Sequence, residues 1–138
     1  MDPILKIENY HNFAWKELYK NKEVVVHRKG AIPAAENMLG IIPGSMSAPG
    51  YIVRGKGNEA SLQSASHGGG SIMSRTQALN TLHKSQTDIL IQEAGVLLIG
   101  GGLDESLMAY KPISQVMELQ KDLVEIIGLF QPRIVRME

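Results

Sequence analysis

The chain has no cysteine. It therefore forms no disulfide and offers no thiolate, and any metal it binds must be held by His, carboxylate or carbonyl groups. It has no excess of either charge, because 14 Lys and Arg stand against 14 Asp and Glu. That balance argues against gripping nucleic acid by bulk positive charge and leaves room only for a local basic patch. No apolar run approaches the ~18 residues that span a bilayer. The start, Met1-Asp2-Pro3-Ile4-Leu5-Lys6, lacks the charged and apolar regions of a signal peptide. The expected compartment is the cytoplasm, with no membrane partner. Repeats and low-complexity tracts are missing too. What is present is a hydrophobic fraction of 43% over 138 residues. This suffices for one domain with a real core, residues 1–138, and leaves little for a second.

The order of residues divides the chain in two. Residues 23–76 are rich in Gly, Ser and Pro and carry short β-branched runs, Glu23–His27 and Gly50–Arg54, which read as strands. Turn signals bound them at 31–33, at Pro43-Gly44 and at Gly55-Lys56-Gly57-Asn58. In the second half, Ile72, Ala78, Leu79 and Leu82 predict a helix that starts just after the triple glycine. Asp88–Ala94 predicts another helix, capped by Gly95 and followed by a buried strand over Val96–Ile99. The apolar spacing from Ile113 to Ile127 predicts a third helix stopped by Gly128, and a last strand lies near Arg133–Arg136. The fold class is α+β, with short strands in a mixed sheet first and two to three helices after.

Two features invite chemistry. Ser66-His67-Gly68-Gly69-Gly70-Ser71 precedes a predicted helix, so that glycine freedom, helix amides and an imidazole share one loop. That combination suits a bound phosphoryl group with a nucleophile beside it. A flexible glycine turn with an incidental histidine is the other reading, since the loop is neither a Walker A nor a Rossmann fingerprint. The remaining histidines, His11, His27 and His83, show no spacing of a self-contained metal site. His83, placed late in a helix beside Lys84, needs only the macrodipole. Arg28, Lys29, Arg54, Lys56 and Arg75 share the half that carries the glycine loop, either as a solvated rim or as a groove for phosphate or RNA backbone.

Seven ordered motifs carry a family resemblance. They are His11-Asn12, His27-Arg28-Lys29-Gly30-Ala31, Ile42-Pro43-Gly44-Ser45-Met46, Tyr51 to Asn58, Ser66 to Gly70, Met73-Ser74-Arg75 and Ala109-Tyr110-Lys111. In this order and approximate spacing they resemble the C-terminal portion of the RtcB family, GTP-dependent RNA-splicing ligases. The resemblance runs from His11 onward. It implies that the family's N-terminal part, with an Asp, a Cys, two further His ligands and an Asn-His nucleotide motif, lies outside this sequence and acts as its partner.

The resemblance implies a reaction in which a histidine is guanylylated by GTP with Mn²⁺. GMP then passes to an RNA 3′-phosphate, which can arise from a 2′,3′-cyclic phosphate, and a 5′-hydroxyl displaces GMP to seal the strands, as in tRNA splicing or RNA repair. On it, His67 is the guanylylated residue and His11 a manganese ligand. Asn12, Pro43, Gly44, Ser45, Met46, Gly50, Gly68, Gly69, Gly70, Tyr110 and Met137 fall on nucleotide-contacting positions. Lys29 and Arg75 fall near the substrate phosphate. The chain departs from the pattern at three positions: Ser71 for an arginine, Gly50 for a serine and Met137 for a lysine. Each loss of a charged, buried contact costs ~1–3 kcal/mol. Two functions stay open: a ligase portion inactive on its own, or a non-catalytic remnant that binds nucleotide or RNA weakly or self-assembles. Self-association of the isolated chain is expected, because the resemblance implies that this half packs against the N-terminal half, whose absence would uncover apolar surface, and net charge offers no repulsion.

Overall fold

A computed structural model describes residues 1–100 and 107–137. The first element is a hairpin, β1 (Asn12–Tyr19) and β2 (Lys22–Lys29), paired antiparallel from Asn12↔Lys29 to Tyr19↔Lys22. Its two-residue turn holds Lys20 at φ 48 and Asn21 at φ 62, the conformation whose twist matches that of the strands. Next come β3 (Ala31–Pro33), β4 (Leu39–Ile42), β5 (Gly50–Gly55) and β6 (Ser64–Ser66). The helices α1 (Arg75–Thr81) and α2 (Lys84–Glu93) follow, then β7 (Leu97–Gly100), α3 (Ile113–Leu119), β8 (Val124–Phe130) and β9 (Ile134–Met137).

The strands form four small sheets. They are the β1–β2 hairpin, an antiparallel β3–β6 pair, an antiparallel β4–β5–β8 sheet and a parallel β7–β9 pair. With three helices concentrated in the second half, the fold is α+β as expected.

The main core joins β3, β4, β5 and β6 to α3 and β8 through Ile32, Ile42, Tyr51, Val53, Ala65, Ile113, Met117 and Val124. Ile32, Ile42 and Val53 are wholly buried, and each contributes about 1.5–3 kcal/mol relative to exposure. A second cluster, Met46, Ile91 and Val96 with Leu98 and Val135, pins the loop after β4 against α2, β7 and β9. A third, Ala78, Leu82 and Ala109, holds α1 against Met73 and Tyr110.

Several expectations are corrected. The helix predicted from Ile113 to Ile127 stops at Leu119, and Val124–Phe130 is a strand. The β-branched run Val-Glu-Ile-Ile extends readily, and pairing with β5 satisfies its backbone where a longer helix would leave that sheet edge open. Residues 31–33, read as a turn, form β3 because Ala31 pairs with Ser66. The helix expected directly after the triple glycine begins at Arg75, capped by the Ser74 side chain on the Gln77 amide. The intervening residues are held by a bridge between Ser71 and Tyr110 and by the Ile72 amide on the Ala109 carbonyl, 2.8 Å. His83 is not late in a helix. It is the N-cap residue of α2 and makes no side-chain cap bond, so the macrodipole account fails.

Arg28 belongs to the framework and not to a basic groove. It is 3% exposed, grips both carboxylate oxygens of Glu17 at 2.6 and 2.9 Å, and donates from Nε to Ser64 Oγ at 2.7 Å. It also donates to the Leu62 carbonyl at 2.9 Å and lies 5.2 Å from the Trp15 ring centre. This fork ties the hairpin to the turn before β6.

Candidate functional site

The site grows from Gly30, the single residue between β2 and β3. With φ at +70 it turns the chain in a way that side-chain-bearing residues resist. Its N–H donates to the His11 carbonyl at 2.8 Å, and its carbonyl accepts from the His67 N–H at 3.1 Å. Two histidines remote in sequence are thereby placed on one glycine. Their rings stack, with centres 4.1 Å apart and planes 24° from parallel. Burial, and secondarily the nearby His11 imidazole, holds the His67 imidazole below its ordinary value of 6.5. His67 is therefore neutral at pH 7, with a ring lone pair ready to act as nucleophile.

The glycine loop is fixed beneath that ring. The Ser66 N–H donates to Gln120 Oε1 at 2.9 Å, and the Ser66 hydroxyl donates to the Gly68 carbonyl at 2.8 Å. Gly69 lies against Lys111, where a Cβ would come 2.5 Å from the backbone oxygen. Gly70 has φ +68, and its carbonyl accepts from the Lys111 N–H at 3.0 Å. Packing thus explains glycine at 69, and the left-handed backbone explains it at 70. Neither explains Gly68, whose added Cβ would meet only the Pro43 oxygen at 3.7 Å and whose φ is ordinary. The open space there suits the close approach of a ligand.

A cavity of about 610 Å³ opens beside His67 and Gly68–Gly70. Pro43, Gly44, Ser45 and Met46 form one wall, Tyr110 and Lys111 another, and Gly50, Phe130 and the β9 segment complete it. Among the described residues, Ser45 Oγ is buried there with no hydrogen-bond partner. A buried hydroxyl without a partner is costly unless a ligand meets it. Size, one orphan hydroxyl and mostly apolar walls fit a mononucleotide.

Of the residues singled out from sequence, the cavity gathers Pro43, Gly44, Ser45, Met46, Gly50, His67, Gly68, Gly69, Gly70 and Tyr110. Asn12, Lys29 and Arg75 are not among its lining. Asn12 Oδ1 lies 3.1 Å from His27 Nε2, Lys29 is exposed at the end of β2, and Arg75 opens α1. Met137 ends β9, and its side chain falls outside the described residues. Sequence reasoning missed Phe130 and Arg136 in the lining, and Gly30 as the shared anchor. A lone glycine between the Val24–Val26 strand run and Ala31-Ile32-Pro33 was the available signal for Gly30.

The metal expectation asked this chain for one ligand, His11, with the others from the family's N-terminal part. His11 and His67 meet, but among the described residues no group of three His, Cys, Asp or Glu converges. Two imidazoles do not make a manganese site, whose ligands are mainly oxygen.

Comparison with known proteins bears on this geometry. The family described as tRNA-splicing ligase RtcB matches residues 2–138. The chain belongs to the RtcB family. It is 44% identical over 122 residues to RNA-splicing ligase RtcB1 of an Escherichia coli strain, a match covering 88% of this chain and 30% of that protein. Identity to RNA-splicing ligase RtcB of another Escherichia coli strain is 43%, with the same coverage. To tRNA-splicing ligase RtcB of Methanococcus maripaludis it is 33% over 135 residues, covering 81% of this chain and 28% of that protein. This RtcB chain therefore spans about 30% of the length of the Escherichia coli relatives. The described residues of the RtcB chain include no helix long and apolar enough to cross a membrane.

Proposed function

We propose that this chain supplies the nucleotide-accepting part of an RNA ligase that joins RNA 3′-phosphate or 2′,3′-cyclic phosphate ends to 5′-hydroxyl ends. The observation that carries the reading is the placement of His67, held by Gly30, in the lining of a nucleotide-sized cavity that Ser45 and the glycine loop also line. A lone pair of the His67 imidazole forms a bond to the α-phosphorus of GTP, and pyrophosphate leaves. The GMP group then moves to an oxygen of the RNA 3′-phosphate, breaking the histidine–phosphorus bond. A 5′-hydroxyl attacks that activated phosphorus, loses its proton, forms the phosphodiester and releases GMP. Gly68 admits the phosphate closely, and preorganised backbone donors of the loop favour the charge that develops.

Among the described residues no group of three ligands converges to hold manganese, and the partner N-terminal segment of the family is the proposed source of the others. The test is a chimera in which this chain replaces the matching segment of the Escherichia coli relative. With GTP and Mn²⁺ it acquires a covalent GMP label and seals RNA ends, and His67→Ala loses both. A chimera that folds, by circular dichroism and thermal melting, yet takes no label would overturn the reading.

A further inference from the structure

Gly50 opens β5 directly opposite Phe130, the last residue of β8. A Cβ built on Gly50 would lie 2.2 Å from Phe130 Cζ and 2.5 Å from Cε1. The φ of Gly50 is one that any residue adopts, so backbone conformation does not demand glycine. The ring does. An aromatic side chain lying across a strand glycine is a known way to cover exposed backbone, and by itself that would explain the pair. Phe130 keeps 41% of its surface exposed, and its strand neighbours Ile126 and Ile127 are exposed to a similar degree, so exposure by itself assigns no role. One further observation goes beyond strand cover: both residues line the cavity beside His67.

His67, the glycine loop and the Lys111 backbone stand together and form the place for a phosphate, so a nucleoside extends along the rest of the cavity, where Phe130, Pro132, Ile134 and Val135 give apolar surface and Arg136 adds a cation. We propose that Phe130, seated over Gly50, is a nucleoside-contacting residue whose ring forms the apolar surface against which a purine nucleoside monophosphate lies. Gly50 is side-chain-free so that the ring can occupy this place. Recognition by Phe130 is by contact with a planar ring. The inference rests on the proposed nucleotide function and names the residue pair that shapes its specificity.

The experiment titrates the full chain with GMP and, separately, with ribose 5-phosphate, which keeps the sugar and phosphate but lacks the base. The parent binds GMP more tightly than ribose 5-phosphate. Phe130→Leu weakens GMP about fivefold and leaves ribose 5-phosphate within about twofold of the parent. Gly50→Ser displaces the ring, lowers the melting temperature and weakens GMP. Adding Phe130→Leu to Gly50→Ser raises the melting temperature again without restoring GMP affinity, because the clash is removed and the wall is not replaced. If Phe130→Leu fails to fold, Phe130→Trp serves instead: a larger ring must change GMP affinity while sparing ribose 5-phosphate. A folded Phe130→Leu or Phe130→Trp protein with parental GMP affinity overturns the inference and leaves Phe130 as strand cover. A parent that holds GMP and ribose 5-phosphate equally also overturns it. A folded parent that binds neither ligand overturns the nucleotide reading itself, and the inference with it.

Discussion

Glu17→Gln should unfold this protein more readily than Arg28→Met, although both break the same ion pair. The reason is an asymmetry of burial. The Arg28 side chain is 3% exposed and the Glu17 side chain 30%. Removing the guanidinium leaves a carboxylate that water can reach, and the methionine stem retains contact with the Trp15 ring. Removing the carboxylate charge leaves a guanidinium in the interior, held only by Ser64 Oγ, backbone carbonyls and an amide oxygen. Breaking a buried pair by deleting one partner costs about 3–5 kcal/mol. The upper half of that range is expected for Glu17→Gln and the lower half for Arg28→Met. For a chain of this length each kcal/mol moves the midpoint by about 3–5 °C, so both shifts should exceed roughly 9 °C. The double variant should lose less than the sum of the singles, since the second change removes a charge already left unpaired. Thermal and urea denaturation followed by circular dichroism measure all four proteins. A Glu17→Gln protein within about 1 kcal/mol of the parent would refute the reasoning, because the surplus charge would then have found water or another partner. The consequence reaches the site, since β2 runs from Arg28 through Lys29 into Gly30, which anchors both His11 and His67.

Four further outcomes are expected. In the chimeric ligase His67→Ala abolishes GMP labelling, while His83→Ala, exposed at the N-cap of α2, retains at least half of it; equal losses would mean that the wrong histidine has been placed at the chemistry. The isolated chain with labelled GTP and Mn²⁺ forms no covalent adduct, because among the described residues no group of three ligands converges to fix the metal; a robust histidine-linked label would contradict this. The His67 value is lowered on folding, so the unfolded chain binds the proton more readily below 6.5. Stability is therefore greatest above 6.5 and falls as pH drops toward the folded value, and His67→Asn should flatten urea midpoints between pH 7.5 and 5.5. Finally, Leu18, Val25, Leu119 and Leu129 are exposed by 63–85%, and among the described residues β8 pairs with β5 alone; sedimentation at micromolar concentration should show self-association, and a clean monomer would count against it.

How much of this was legible in the sequence depends on the range of the interaction involved. The hairpin strand β2, the strand β5 and the helix α2 announce themselves through local pattern, and the α+β class follows from their order. The error at Val124–Phe130 has a clear cause. Apolar residues at 123, 124, 126, 127, 129 and 130 satisfy a helical stripe and a buried strand alike, and only the partner β5 decides. The short strands β3 and β6 have three residues each and exist because they pair with each other, which no local window reports. Arg28 shows the same limit in its charge. As one of five basic residues in the glycine-rich half it reads as part of a rim, and only the fold brings Glu17, Ser64 and Leu62 around it.

The site divides along the same line. The glycine loop with its histidine was visible because all its parts are adjacent, and the cavity indeed gathers that loop with the Pro43–Met46 turn and Tyr110. The supposed source of its anion affinity was not visible correctly. The loop does not run into a helix N-terminus, since Ser71 to Ser74 are spent on the bridge to Tyr110 and on the cap. Any phosphate held there must therefore be met by loop amides and not by a helix dipole. The stacking of His11 on His67 was equally hidden, because it is enforced by two backbone hydrogen bonds to Gly30 that belong to a turn and to no motif. The chemistry of the loop is thus a local property of six residues. The placement of its imidazole, stacked on that of His11, is set by a glycine that carries no chemistry at all.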